Sequence, residues 1–248
     1  HLSWLPCNIS GIMKQGDLLY RGKAKSVYLT KNPNELLVVF RDDITAFDGQ
    51  KKNVLSGKGR YNAKVTAYFY PLLEEAGIPT HFLEVVSPDS HLVRKLSMIP
   101  LEVIVRNRAA GSLVKNYGFS EGQMLSPPLI VMDLKDDSRH DPMINDEIIL
   151  AMGIATATEL SEIKRLALAV NTVLKENLCS KGLDLIDMKF EFGRDASGMI
   201  RLGDEISMDS MRLWDHGMVG ASLDKDIYRK ELGDVMETYA AVSCRICD

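Results

Sequence analysis

Residues 183–193, with the sequence LDLIDMKFEFG, restrict the fold of this chain more than any other segment. In an extended strand, successive side chains point to opposite faces, and every second residue lies roughly 7 Å from the next. One face of this strand carries four large apolar side chains, Ile186, Met188, Phe190 and Phe192. The other face carries an ammonium between two carboxylates, from Asp187, Lys189 and Glu191.

Two interpretations of this polar row are open. Half-buried antiparallel strands alternate in the same way, with the polar face in water. The following segment favours a functional row. Asp195–Gly198 is typical of a hairpin turn, and residues 199–205 would form a second strand that runs back alongside the first. If Ala196 and Ser197 form a two-residue loop, Asp204 lies opposite Lys189 and shares the face of Glu191. Two such carboxylates suit Mg²⁺, although a slip of one residue would move Asp204 to the other face.

Composition excludes several classes of protein. The chain has 248 residues, of which 46% are hydrophobic and 26% charged, and this is ordinary for a globular protein of one large domain or two lobes. A net charge of −4 argues against a nucleic-acid partner. No apolar run approaches the ~20 residues of a membrane span. Anionic substrates remain possible because local charge clusters matter more than the total.

The cysteines and the N-terminus suggest a reducing cytoplasmic setting. Four cysteines in a chain of this length do not indicate a disulfide framework. Cys244 and Cys247 have redox or zinc spacing, but no second ligand pair accompanies them. Residues 1–12 lack the apolar core of a signal peptide, and we interpret them as an extension before a natural start at Met13.

Strands and helices occur in blocks without strict alternation, which predicts an α+β fold. We expect strands at 18–21, 26–30, 36–40, 53–55, 81–86 and 101–108. A helix from Lys58 to Ala76 should be kinked or divided by Pro71. A second helix starts at the capping box of Thr156 and Glu159, and a terminal helix spans 225–243.

Two basic segments could bind anions. Lys23 and Lys25 flank a strand–turn–strand in which Gly22 permits close approach of a ligand, although edge strands also carry lysines to prevent aggregation. Arg106 and Arg108 share a strand face, and Ser112 is placed as the N-cap of the following helix. A phosphate could bind there, or the arginines could simply be solvated.

In their order along the chain, several segments resemble the phosphoribosylaminoimidazole-succinocarboxamide synthase (SAICAR synthetase) family, from about Leu19 to the C-terminus. The segments are GKAK, DDITAFDG, IPLEVIVRNRAAGS, HDP, LIDMKFEFG, LGDE and RLWD. The resemblance implies an ATP- and Mg²⁺-dependent ligase of purine biosynthesis that joins L-aspartate to carboxyaminoimidazole ribonucleotide (CAIR), and it suggests a homodimer or larger assembly. It also implies two lobes: a kinase-N-lobe-like ATP-binding lobe at 13–97, and a larger ATP-grasp-like α+β lobe at 98–248.

The resemblance further suggests residue roles. ATP phosphates would meet Lys23, Lys25 and Lys135, and the adenine edge would be read by the backbone of 98–102. The metal would be held by Glu191, Asp204 and Asp48. CAIR would meet the side chains of Arg106, Ser112, Arg212, Asp187, Lys189, Asp48 and Asp141, with Asp187, Lys189 and Glu191 at the reacting groups. A small-molecule kinase with the same ATP site and a nucleotide-sensing module are the alternatives.

Overall fold

The computed structural model describes residues 15–248, so Cys7, the predicted extension and the predicted start at Met13 lie outside the described residues. Within this range the strands are β1 (Leu18–Arg21), β2 (Lys25–Leu29), β3 (Glu35–Phe40), β4 (Asp43–Ala46), β5 (Lys51–Val54), β6 (Phe82–Ser87), β7 (Ser90–Arg94), β8 (Ser97–Met98), β9 (Leu101–Arg108), β10 (Met124–Leu134), β11 (Leu183–Phe190), β12 (Phe192–Arg194), β13 (Ile200–Leu202) and β14 (Met211–Asp215). The helices are α1 (Lys58–Glu75), α2 (Ser112–Tyr117), α3 (Asp146–Ala151), α4 (Ala157–Ser180), α5 (Asp226–Arg229) and α6 (Val235–Cys247).

Two antiparallel sheets organise the chain. The first half forms a five-stranded sheet in the order β1-β2-β3-β7-β6. The second half forms a four-stranded sheet in the order β10-β9-β11-β14, and β13, β12 and β8 form a smaller sheet beside it. The predicted α+β class is therefore confirmed.

The largest core lies where α4 covers the central strands β9 and β11, and α1 packs against α4 and α6. Met188, Phe190 and Phe192 are buried together in this core, as the alternation predicts. The prediction is wrong at Ile186, because the register shifts between Leu185 and Asp187 and Ile186 packs in a separate cluster with Ala110 and Trp214. Helix α1 contributes Val65, Phe69 and Leu73 to this same core. Because α1 packs into the core of the second half, the division of the chain at residues 97 and 98 stays a prediction.

Some elements differ from the sequence prediction. The terminal helix is two helices, α5 and α6, because the Asp234 side chain accepts a hydrogen bond from the Glu237 N–H and starts a new helix after Gly233. Helix α1 is not divided, since it continues through Pro71. Strand β10 was not predicted; it contains Pro127 and Pro128 and lies at the edge of its sheet, where proline is tolerated.

The capping box of α4 is confirmed: Glu159 N–H donates to the Thr156 hydroxyl, and the Thr156 N–H donates to the Glu159 carboxylate at 2.8 Å. The thiol of Cys244 donates to the Asp248 carboxylate at the end of α6. None of the helices between residues 15 and 248 has both the length and the apolar character needed to cross a membrane.

Candidate functional site

The polar row of β11 faces a cleft rather than open solvent. Asp187 and Glu191 are each 5% exposed, and each accepts hydrogen bonds from cations on other elements. Lys189 donates to Glu102 of β9 at 2.7 Å. Although burial opposes it, the nearby charges of Glu102 and Glu191 raise the pKa of Lys189, so this lysine stays cationic. The solvated-face interpretation of the row is therefore wrong.

Asp204 lies next to the row because of a strand register and a backbone conformation that the sequence did not predict. The pairs Phe192–Leu202 and Arg194–Ile200 require a three-residue loop at 196–198, so the predicted two-residue loop is wrong by one residue. The ladder ends at Leu202, and Asp204 has a left-handed backbone with φ +57°. This conformation frees Asp204 from the strand alternation, and its carboxylate lies beside that of Glu191 after all.

Glu191, which is buried, and Asp204, which is partly buried, form a pair of acids that lysines approach. Lys25 of β2 bonds to Asp204 and, at 2.7 Å, to Glu205, while Lys135 bonds to Glu191 at 2.7 Å. Burial and then the charge of Asp204 raise the pKa of Glu191. Burial opposes ionisation of Asp204, but the charges of Lys25, Lys189 and Lys135 lower its pKa to about 2. When Lys189 and its partner Glu102 are included, four acids here face three lysines, which leaves the cluster short of positive charge.

A cavity of about 420 Å³ lies over these acids. Lys25, Lys135 and Glu191 line it together with apolar side chains that include Val27, Val38, Ile44, Val93 and Met98. Lys23 is at its edge and bonds to Asp137 at 2.8 Å. The backbone of 98–102 was predicted to bind the adenine edge. In this segment the Ile99 N–H donates to the Phe192 carbonyl and the Leu101 N–H donates to the Ile99 carbonyl, so both N–H groups already have acceptors within the protein.

The opposite end of the row is rich in arginine. Asp187 Oδ2 accepts from Nη1 of Arg106 and from Nη1 of Arg212, both at 2.9 Å. Arg106 also donates to the Ser112 hydroxyl at 2.9 Å. The predicted N-cap role of Ser112 is wrong, because Gly111 occupies that position and Ser112 is the first helical residue. A Cβ on Gly111 would lie 2.7 Å from the Arg212 guanidinium, so this close approach requires glycine.

This end opens into a second cavity of about 380 Å³. It brings together Arg106, Ser112, Asp187, Lys189, Arg212, Asp48 and Asp141, the residues predicted to meet CAIR. Sequence reasoning missed Lys225 and Arg229, which also line it. Burial lowers the pKa of Lys225 to about 8. Both residues were predicted only as part of the terminal helix, and neither was given a role.

Asp226 connects two of these arginines. Its carboxylate accepts from Arg212 Nε at 3.1 Å and from Arg229 Nη1 at 2.8 Å. Although burial opposes it, the charges of Asp187 and Asp226 raise the pKa of Arg212. In contrast, Arg108 donates to the Gly122 carbonyl and does not line this cavity. The result is a fixed pair of guanidinium groups facing one cavity.

The predicted metal ligands do not all converge. Asp48 lies on the loop after β4, where its carboxylate is 3.5 Å from His140 Nδ1. Throughout residues 15–248, no group of three or more His, Cys, Asp or Glu side chains is arranged to hold a metal ion. Glu191 and Asp204 nevertheless suit Mg²⁺, which proteins often hold through one or two carboxylates together with substrate phosphates.

A buried charged row between two cavities, reached by lysines on one side and arginines on the other, is typical of an enzyme that binds phosphorylated substrates. The family model of SAICAR synthetase matches residues 18–246, and the chain belongs to that family. The predicted family resemblance is thus confirmed.

Relatives and solved structures agree with this assignment. A phosphoribosylaminoimidazole-succinocarboxamide synthase of Methanoculleus marisnigri is 60% identical over 94% of this chain and 96% of the relative. The crystal structure of the synthase of Ehrlichia chaffeensis has a TM-score of 0.90 and 38% identity over 93% of this chain and 98% of that one. A SAICAR synthetase in complex with ADP has a TM-score of 0.88 and 45% identity, covering 92% of this chain and 96% of that one.

Proposed function

We propose that this protein is an ATP-dependent ligase that condenses CAIR with L-aspartate to give SAICAR, ADP and phosphate in purine biosynthesis. One observation carries the proposal: the row of Asp187, Lys189 and Glu191 joins a lysine-lined cavity to an arginine-lined cavity. A relative of known structure is in complex with ADP, which supports nucleotide binding in the first cavity.

The chemistry requires both cavities. A carboxylate is a poor electrophile toward an amine, because its oxygen leaves badly. Attack of the CAIR carboxylate on the terminal phosphorus of ATP releases ADP and gives an acyl phosphate. The aspartate amine then attacks the acyl carbon, inorganic phosphate leaves, and the amine loses a proton. Positioning and charge neutralisation supply most of the acceleration in such transfers.

At the nucleotide end, Lys23, Lys25 and Lys135 would bind the phosphates of ATP. Glu191 and Asp204 would hold Mg²⁺, which neutralises phosphate charge when bound. The deficit of positive charge around these two acids fits such an ion. Asp48 stays a predicted contact of the metal and of the CAIR carboxylate.

At the other end, Arg106, Ser112 and Arg212 would bind the phosphate of CAIR. Nε of Arg106 is buried and has no hydrogen-bond partner in the described part of the chain, so an additional acceptor would satisfy it. Asp187 and Lys189 would orient the imidazole and its carboxylate. Asp141, which lines both cavities, would contact the substrates in the cleft.

Product analysis tests this function. The purified chain is incubated with ATP, MgCl₂, CAIR and L-aspartate, and ADP and SAICAR are measured by chromatography. We expect ADP and SAICAR in equal amounts, and no ADP when either co-substrate is omitted. Release of ADP together with a new phosphate ester, and no amide, would instead indicate a small-molecule kinase. Nucleotide binding without any turnover would indicate a sensing module.

A further inference from the structure

The buried side of α1 carries a line of polar side chains next to its apolar stripe. They recur at intervals of four residues and therefore share one face of the helix: Lys58, Asn62, Thr66 and Tyr70. Each of them is at most 2% exposed. The face that a helix packs into a protein is normally apolar, and a buried polar group is costly unless it is hydrogen-bonded. This line, which we call the polar ridge of α1, therefore needs partners inside the protein.

The second half of the polar ridge binds the backbone of the loop that connects β13 to β14. The Tyr70 hydroxyl lies 2.8 Å from the carbonyl oxygens of both Gly203 and Asp204. One turn earlier, Thr66 Oγ1 lies 3.0 Å from the Ile206 carbonyl oxygen and shares its proton with a carbonyl of its own helix. The loop contains no helix or strand of its own, so α1 supplies the donors for these carbonyls.

The first half of the polar ridge binds the far end of the same loop. Lys58 and Asn62 both donate to Oδ2 of Asp209. Helix α1 is itself fixed at this end, because Gly59 packs so closely against β3 that a Cβ there would collide with the Phe40 carbonyl. The polar ridge therefore holds the loop at both ends and relates its position to the five-stranded sheet.

Asp204 is the residue of this loop whose backbone most needs support. Its φ of +57° is uncommon for a residue other than glycine, and such conformations persist only where the surrounding structure fixes them. The two carbonyls that Tyr70 contacts belong to the peptide groups on either side of the Asp204 Cα. Lys25 bonds to the Asp204 carboxylate from the opposite sheet. Tyr70 lines neither cavity, so it can influence bound molecules only through the loop.

We propose that Tyr70 is a positioning residue for Asp204, and that the polar ridge of α1 sets the place of this acid in the cleft. The Tyr70 hydroxyl fixes the two peptide groups around Asp204 and so directs its carboxylate toward Glu191. The proposal rests on the proposed function, in which these two acids hold Mg²⁺. It is supported by one hydroxyl that bridges the peptide groups of a strained residue, and by four buried donors that all bind one loop.

Calorimetric titration of the full chain with ADP, with and without MgCl₂, tests the proposal. Magnesium should strengthen ADP binding by the parent enzyme, because the ion would contact both the phosphates and the two acids. Tyr70→Phe removes only the hydroxyl. We expect this variant to reduce the magnesium enhancement about 3–10-fold, the effect of one hydrogen bond, and to bind ADP without magnesium as the parent does.

Two further variants separate positioning from a merely structural role. Tyr68→Phe is the matched control, because it removes a hydroxyl from the same helix that bonds to Asn177 of α4 at 3.1 Å. It should leave the magnesium enhancement unchanged. Thr66→Val keeps the shape of its side chain and loses the bond to the loop, so we expect a smaller reduction, of about twofold.

Thermal unfolding of the metal-free variants measures stability separately. If Tyr70→Phe loses stability but keeps the magnesium enhancement of the parent, the hydroxyl is merely structural and the proposal is overturned. Equal reductions in Tyr70→Phe and Tyr68→Phe also overturn it. If Tyr70→Phe does not fold, Thr66→Val decides, and an unchanged enhancement in that variant overturns the proposal. If magnesium leaves ADP binding by the parent enzyme unchanged, the metal site of the proposed function is wrong and the proposal falls with it.

Discussion

Asp187 and Glu191 lie four residues apart in the same row, are equally buried, and have opposite surroundings. Asp187 accepts from two guanidinium groups, Arg106 and Arg212. Glu191 accepts from one lysine, faces a second acid, and has a raised pKa. One end of the cleft therefore carries excess positive charge and the other excess negative charge. The difference shows how one strand can serve a phosphate at one end and a cation at the other.

The largest effect should follow from Asp187→Asn. The substitution leaves the buried Arg106 guanidinium without a compensating charge, while Arg212 keeps its partner Asp226. Breaking a buried pair of this kind costs about 3–5 kcal/mol in the free energy of unfolding. Denaturant titration measures this loss. Inorganic phosphate should restore stability to the variant more than to the parent chain. Asp137→Asn is the control, because its ion pair with Lys23 is exposed and worth little. Equal losses in both variants would contradict the comparison.

Glu191→Gln should separate activity from stability. Loss of one of the two carboxylates proposed to hold Mg²⁺ should lower kcat by roughly 10²–10³-fold. The midpoint of thermal unfolding at pH 7 should stay constant or rise, because the variant no longer holds two acids side by side. Coupled ADP release and thermal unfolding are the two measurements. A variant that loses both stability and activity would mean that Glu191 is structural.

The pH dependence of stability should reveal a third acid at the arginine end. Burial, and then the charge of Asp226, raises the pKa of Asp224 to about 7. The folded protein therefore binds more protons here than the unfolded chain between about pH 4 and 7, and its free energy of unfolding falls as pH rises through this interval. Asp224→Asn should remove that component, by a few kcal/mol at most since one pKa unit is about 1.4 kcal/mol. Identical pH profiles would contradict the raised pKa.

The smallest effect should come from Asp226→Asn. Arg212 and Arg229 lose the negative charge and one of the two oxygens that accept from them. We therefore expect the KM for CAIR to rise about tenfold, equivalent to about 1.4 kcal/mol, with a smaller change in kcat. Asp184→Asn is the matched control, because Asp184 pairs with His216 away from both cavities. A change in kcat alone would show that Asp226 does not act through substrate binding.

How far the sequence predicted this site depends on the type of constraint. The alternation was predicted correctly from Asp187 to Phe192, because burial of one face imposes a period of two on a regular strand. It failed at Ile186, where the strand register shifts. The partners of Asp187 could not be read in this way. They come from β9 and β14, and strand order is a property of the whole sheet.

Asp204 shows most clearly which part of the site a single sequence does not predict. Its proximity to Glu191 was predicted from a register that is wrong by one residue, and the left-handed backbone at Asp204 compensated for the slip. A non-glycine residue in that conformation leaves no mark in a single sequence. Lys225 and Arg229 were missed for a related reason. Their helix is too short to show a period, and only the tertiary fold brings it to the cavity.

The lysines at the nucleotide end already have anionic partners within the protein: Lys25 with Asp204 and Glu205, and Lys135 with Glu191. An arriving polyphosphate would replace one counter-charge by another, so few ions from the surrounding electrolyte need be released or taken up. Affinity for the nucleotide should therefore vary less steeply with ionic strength than a count of nearby lysines suggests. The enzyme would therefore keep its affinity for the nucleotide when the salt concentration in the cell changes.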